Sequence, residues 1–218
     1  MNIKMRVLKH PRYRLNIYFF KFLGIWPFQS KTASRLSAIL YTAIFVSQTL
    51  PQVHQVCMTP TQENFMEFFP PVIVGYMAWI KMASSILQLS KTKKLLLMIE
   101  RDWNELKEGP VFDIMTKAAD NGGKLSLYYA ILFINITILY LLMPLRPKLW
   151  VWLGWQKGPA KFAFPYPLNY WVDSYTYLYA IEIHIIICSI VVVMAIIAID
   201  TMFLVFVVHA CSLFSAIR

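Results

Sequence analysis

The sequence predicts an all-α, polytopic membrane protein with four transmembrane helices. Composition is the first observation behind this. Of 218 residues, 58% are hydrophobic and only 15% are charged, too little polar surface to cover a water-soluble domain of this size. The second is segment length, because four apolar runs reach the roughly 20 residues that a helix needs to cross hydrocarbon. The third is periodicity. The runs do not alternate with period two, which favours helices over a β-barrel.

Basic residues orient the elements. The N-terminal segment, residues 1–35, carries eight of them: Lys4, Arg6, Lys9, Arg12, Arg14, Lys21, Lys31 and Arg35. It has no apolar stretch followed by a small-residue cleavage site, so no cleaved signal peptide is expected. Residues 36–56 form the first span, with Pro51 near one end. Residues 57–67 are the first connecting loop and contain no lysine or arginine. The second span is 68–89, opened by Pro70 and Pro71. The next loop, 90–124, has seven basic residues. The third span, 125–143, closes at Pro144, and the loop 144–174 has four basic residues. The series 8, 0, 7, 4 places the N-terminus in the cytoplasm. The net charge of +10 then serves orientation and the lipid bilayer, with no nucleic-acid partner expected.

The loop 90–124 has a helical pattern of its own. Leu95, Leu96, Ile99, Trp103 and Leu106 share a helix face, so the second span should continue as a helix into the cytoplasm and need a packing partner there. Gly109-Pro110 stops this helix, and "DNGG", 120–123, breaks the chain before the third span. The extracellular loop 144–174 contains five prolines and the closely spaced Trp150, Trp152 and Trp155. It reads equally as an interfacial aromatic belt or as an ordered lid over a pocket.

The fourth span is 175–199, and 200–218 continues it as a cytoplasmic extension. Ile185 to Ile217 would make a helix of about 50 Å, well beyond the roughly 30 Å of hydrocarbon. Asp200 therefore marks the point where the helix leaves the lipid. Its partner is expected on the N-terminal segment or the loop 90–124. Cys211 and Phe214, with Phe203 and Val207, become protein-packing positions, and Trp103, Asp200, Cys211 and Phe214 are the expected structural or assembly residues. Lys81, near the middle of the second span, either pairs with Glu182 or snorkels towards water.

No enzyme motif is present, and no cofactor or metal is expected: HExxH, GxSxG, the P-loop and GxGxxG are all missing, and the three cysteines are scattered. His10, His54, His184 and His209 lie in different regions. The sequon at Asn135 falls inside a span and should stay unmodified. What the spans do offer is an apolar set with a few hydroxyls: Tyr76, Trp79, Ile80, Ile138, Leu141, Leu142, Tyr175, Tyr179 and Ile183. Such a set suits a small hydrophobic ligand, although at any single position helix packing or lipid contact is the readier explanation.

Four stretches in order resemble the insect odorant receptor family, in hymenopteran-like form. They are "FLGIWPF" (Phe22–Phe28), "ERDW" (Glu100–Trp103), "FPYPLNYWVDSYTYLYAIEIH" (Phe164–His184) and "DTMFLVFVVHACSLFSAIR" (Asp200–Arg218). The resemblance implies a subunit of a ligand-gated, non-selective cation channel with seven helices and a cytoplasmic N-terminus, in the plasma membrane of olfactory sensory neurons. It implies a heterotetramer with an odorant co-receptor, and a volatile odorant bound in the outer half, between helices that include the second, third and fourth. The chain is expected to correspond to the first four helices, truncated after the fourth, without the pore-lining seventh. A gustatory receptor of the same architecture, and a transporter half or accessory membrane subunit, are the alternatives.

Overall fold

A computed structural model of the chain describes residues 11–106, 108–155, 157 and 164–217, with the backbone alone at Pro11, Arg12 and Ile217. The expectations for the first ten residues, Lys107, Lys161 and Arg218 lie outside the described residues. Among the described residues, seven α-helices follow in order: α1 (Pro11–Phe22), α2 (Lys31–Met58), α3 (Gln62–Leu87), α4 (Leu89–Glu105), α5 (Pro110–Leu141), α6 (Arg146–Trp152) and α7 (Leu178–Ile217). A 3-10 turn at Met143–Leu145 precedes α6. Helices α2, α3, α5 and α7 are long and apolar enough to cross a membrane, so the chain is a multi-pass, all-helical membrane protein.

Two of the expected breaks are not there. The second span was to open at Pro70 and Pro71, yet α3 begins at Gln62 and carries both prolines inside it. Each proline removes one hydrogen bond and crowds the carbonyl four residues earlier, a cost that this helix bears within its first three turns. The "DNGG" break is also absent, because α5 passes straight through Asp120–Gly123. Local propensity predicted the break, since each glycine costs a helix about 1 kcal/mol. Packing overrides it. A Cβ on Gly122 would come within 3.1 Å of the Val208 side chain on α7, so the missing side chain makes room for that valine. At Gln88, by contrast, α3 and α4 are separated by a single non-helical residue, close to the continuous extension expected.

The described residues cluster into two compact units. The first takes those up to Ile39, then Ile80–Leu132 and Met194 onward; the second takes Leu40–Trp79 and Phe133–Val193. Each of the four long helices contributes to both.

In the first unit, Leu23, Ile25 and Trp26 of the "FLGIWPF" stretch are buried. Gly24 makes the turn with φ +66°, and a Cβ there would fall on the Ser37 hydroxyl. Its carbonyl accepts a hydrogen bond from the Gln29 side chain. Lys93 sits over the Phe28 ring at 5.2 Å. From α4, Leu96, Ile99, Glu100 and Trp103 are buried, which supplies the packing that its apolar face required.

In the second unit, Tyr166, Leu168, Ile181 and Ile185 form a buried cluster, with Tyr140, Leu141, Phe164 and Tyr170 packed on it. The loop following α6 is thus anchored by its own aromatic residues. Just before α7, Asp173 accepts a hydrogen bond from the Thr176 amide at 2.7 Å. The Thr176 hydroxyl, and then that amide hydrogen bond, hold the Asp173 carboxyl below its usual range.

Candidate functional site

In the first unit, a lysine of α3 and an aspartate of α7 meet. Lys81 Nζ lies 2.5 Å from Asp200 Oδ1, and the Tyr129 hydroxyl donates to Asp200 Oδ2 at 2.6 Å. Helices α3, α5 and α7 therefore share one carboxylate. This corrects two expectations. Asp200 takes its partner from the span containing Lys81 instead of from the N-terminal segment or the loop 90–124. Lys81 is committed to Asp200, while Glu182 Oε2 is buried with no hydrogen-bond partner.

Two and a half turns further along α7, His209 Nε2 lies 2.9 Å from Asp102 Oδ2. Beside Asp102, Trp103 donates to the Tyr13 hydroxyl at 3.1 Å and meets Phe112 edge-on. The "ERDW" stretch is thereby held from two sides. Cys211 and Phe214 are both exposed on this chain, Phe214 at 74%.

The second unit is built differently. His184 on α7 stands between Ser47 on α2, whose Oγ is 3.1 Å from Nε2, and Tyr170, whose hydroxyl is 2.6 Å from Nδ1. Ser47 donates to the Ile44 carbonyl at 2.9 Å. Its oxygen must then accept from Nε2–H, which leaves Nδ1 to accept from Tyr170. Burial raises the Tyr170 hydroxyl above the ordinary tyrosine value, which keeps it protonated for that role. One turn along α7, Cys188 Sγ is 3.4 Å from His184 Nε2.

A second histidine fastens the same stretch of loop. His54 Nδ1 is 3.3 Å from the Asn169 carbonyl, and its ring stacks on Trp171 with centroids 4.4 Å apart. Trp171 has φ +61°, a conformation that a bulky residue adopts only when its surroundings impose it. The Asn169 amide donates to the Pro51 carbonyl at 2.9 Å. The loop 164–171 is therefore strapped to α2 and α7 by side-chain, stacking and backbone contacts. Sequence spacing had put His54 and His184 in unrelated regions, and no local signal joins them.

The nine expected ligand residues are dispersed. Tyr76 and Trp79 stack at 6.3 Å, and Trp79 also stacks on Phe45 at 5.7 Å. Leu141 packs on the buried cluster. Tyr76, Ile80, Ile138, Leu142 and Ile183 are exposed on this chain. Tyr175 and Tyr179 are each 82% exposed. The buried face of α7 belongs to other residues, Ile181, Ile185, Cys188 and Val192 in the second unit and Ala195, Ala198, Met202, Val205 and His209 in the first, at the three- and four-residue spacing of one helix face. Sequence reasoning missed these because nearly every residue of α7 is apolar, leaving no contrast between faces. Among the described residues, no group of three or more His, Cys, Asp or Glu side chains is placed to hold a metal ion.

The chain matches the family model described as 7tm Odorant receptor over residues 61–218. No curated protein matches it, and no solved structure does.

Proposed function

We propose that this chain, which belongs to the odorant receptor family, binds a small, volatile, hydrophobic ligand through the second unit and acts as a subunit of a ligand-gated, non-selective cation channel. A chemoreceptor-type function follows from membership itself. The observation that carries the reading is the extent of the match, which takes in the whole of α3, α5 and α7. The matched family is that of the odorant receptors, which favours this reading over a gustatory receptor or a transporter half.

The chemistry of the second unit supports ligand binding there. Its cluster of Tyr166, Leu168, Ile181 and Ile185 is apolar with few hydroxyls, the lining that small-molecule sites use. Tyr76, Trp79, Ile138, Leu141, Leu142, Tyr175, Tyr179 and Ile183, with Ile80 beyond them, add apolar and aromatic surface. A ligand shifts such a protein only through unequal affinity for its resting and active arrangements. We place the N-terminus in the cytoplasm, the subunit in the plasma membrane of olfactory sensory neurons, and an odorant co-receptor as its partner in the assembly.

Ligand titration of the purified chain in lipid nanodiscs, followed by tryptophan fluorescence, tests the binding step. Saturable changes with apolar volatiles are expected. A panel of such volatiles that gives only linear, lipid-like partitioning would overturn the reading.

A further inference from the structure

Two glutamines on α2 are buried without full use of their hydrogen-bonding groups. Gln48 is 8% and Gln52 1% exposed, and their four-residue spacing stacks them on one face of the helix. The Gln52 amide donates to the Gln48 carbonyl at 3.1 Å, which fixes its orientation. Neither side-chain oxygen accepts a hydrogen bond.

Tyr166, from the strapped loop, is in the same condition. It is buried, and its hydroxyl makes no hydrogen bond. Burial pushes that hydroxyl far above the ordinary tyrosine value, while the nearby Gln48 side chain pulls slightly the other way. The Asn169 backbone amide donates to the Pro51 carbonyl at 2.9 Å, which holds the loop that carries Tyr166 against the stretch of α2 that carries Gln48 and Gln52. Its ring stacks on Tyr140 with centroids 6.3 Å apart, and the Tyr140 hydroxyl is also unpartnered. Leu168, Ile181 and Ile185 complete an apolar surround.

We propose that Gln48 and Tyr166, with Gln52 one turn away, form a hydrogen-bonding subsite that selects a hydroxyl-bearing apolar ligand, an alcohol, over a hydrocarbon of the same shape. The inference rests on the second unit being the ligand-binding part of the chain. An amide oxygen only accepts, whereas a phenolic hydroxyl donates as well. A hydrocarbon satisfies neither group. An ether or ketone brings acceptors alone and leaves the glutamine oxygen unpaired. An alcohol donates to Gln48 Oε1 and accepts from the Tyr166 hydroxyl, and its alkyl part lies against Leu168, Ile181 and Ile185. Buried polar groups left unmade are costly, so a site of this kind discriminates by what it leaves unpaired as much as by what it contacts.

The test titrates the whole chain in nanodiscs with 1-hexanol and with n-hexane, and records the thermal midpoint of each protein. Every variant is compared with wild type using the same ligand, so that lipid partitioning cancels. For Gln48→Leu and for Tyr166→Phe, the Kd for hexanol should rise roughly tenfold, which is about 1.4 kcal/mol, while the Kd for hexane stays where it was. Retained hexane binding shows that the variant is folded. Should Gln48→Leu lose both ligands, the smaller change Tyr166→Phe decides the matter. Unchanged hexanol affinity in the folded variants, together with a raised thermal midpoint, would overturn the proposal, because the groups would then be only buried liabilities. If wild type binds neither ligand saturably, the ligand-binding reading fails and takes the subsite with it.

Discussion

The two units differ in how far their buried polar groups are committed to one another. In the first, polar side chains are committed to one another across helices: Lys81 and Tyr129 to Asp200, His209 to Asp102, Trp103 to Tyr13. In the second, neutral groups such as Tyr41, Gln48, Gln52, Tyr140 and Tyr166 keep polar atoms that pair with nothing. A committed group holds helices in register, whereas an uncommitted one costs stability and stays free for a ligand. The contrast is one of degree, since Asn16, Thr116 and Ser126 of the first unit are unpartnered too. Among the described residues the charged groups draw the sharper line, because the ion pairs Lys81–Asp200, Arg101–Glu105 and Asp102–His209 all belong to the first unit.

The largest effect should come from breaking the shared carboxylate. Asp200→Asn keeps the shape and an acceptor for Tyr129 but leaves the Lys81 charge without its partner. Removing one member of a buried pair typically costs about 3–5 kcal/mol. Here the two side chains are 31% and 30% exposed, so solvent reduces the loss to about 2 kcal/mol. Thermal unfolding in detergent should show Lys81→Gln also destabilising, and the double variant losing less than the sum of the two. Strict additivity would mean that the pair does no structural work. In cells, Asp200→Asn should lower surface delivery without altering ligand preference.

Next in size is the contact of Gly122 on α5 with Val208 on α7. Gly122→Leu forces a side chain into the space that Val208 occupies, and overpacking of this kind costs about 1–3 kcal/mol. A lower unfolding midpoint is expected, with partial rescue by Val208→Ala. If Gly122→Leu raises the midpoint instead, helix propensity outweighs the close contact and the explanation given for the unbroken α5 is wrong.

A change in the opposite direction sharpens the comparison. Tyr41 in the second unit is buried, and its hydroxyl has no partner. Tyr41→Phe removes an unmet hydrogen-bonding group and leaves the ring in place, so it should stabilise the chain by about 1 kcal/mol. A loss of similar size in the same unfolding assay would show that the hydroxyl is bonded in the working protein.

Sequence disclosed what depends on local composition. The four apolar runs, the helical face of α4 and the continuation of the last helix through Asp200 are all visible as patterns of side-chain type. Partnerships between distant segments are not. Lys81 and Asp200 are 119 residues apart, and no local pattern in α3 or α7 says that they meet. Nor does an almost uniformly apolar helix such as α7 give any sign of which face turns inward, so its buried Ile181, Ile185 and Cys188 could not be told from their neighbours.

The smallest predicted effect separates the two glycines that helix-packing arguments would otherwise treat alike. Gly75 on α3 is buried, as Gly122 is, but a Cβ there would meet Phe45 at 3.5 Å, an ordinary contact. Alanine in a helix interior is favoured over glycine by up to about 1 kcal/mol, and nothing near Gly75 opposes the gain. Gly75→Ala should therefore raise the unfolding midpoint by the equivalent of about 0.5 kcal/mol. At Gly122 the same substitution meets Val208 at 3.1 Å and should gain nothing or lose slightly. Equal responses at the two sites would show that α5 and α7 are free to move apart at Gly122. The opposite outcomes expected here would mean that one glycine is required by packing while the other is merely tolerated.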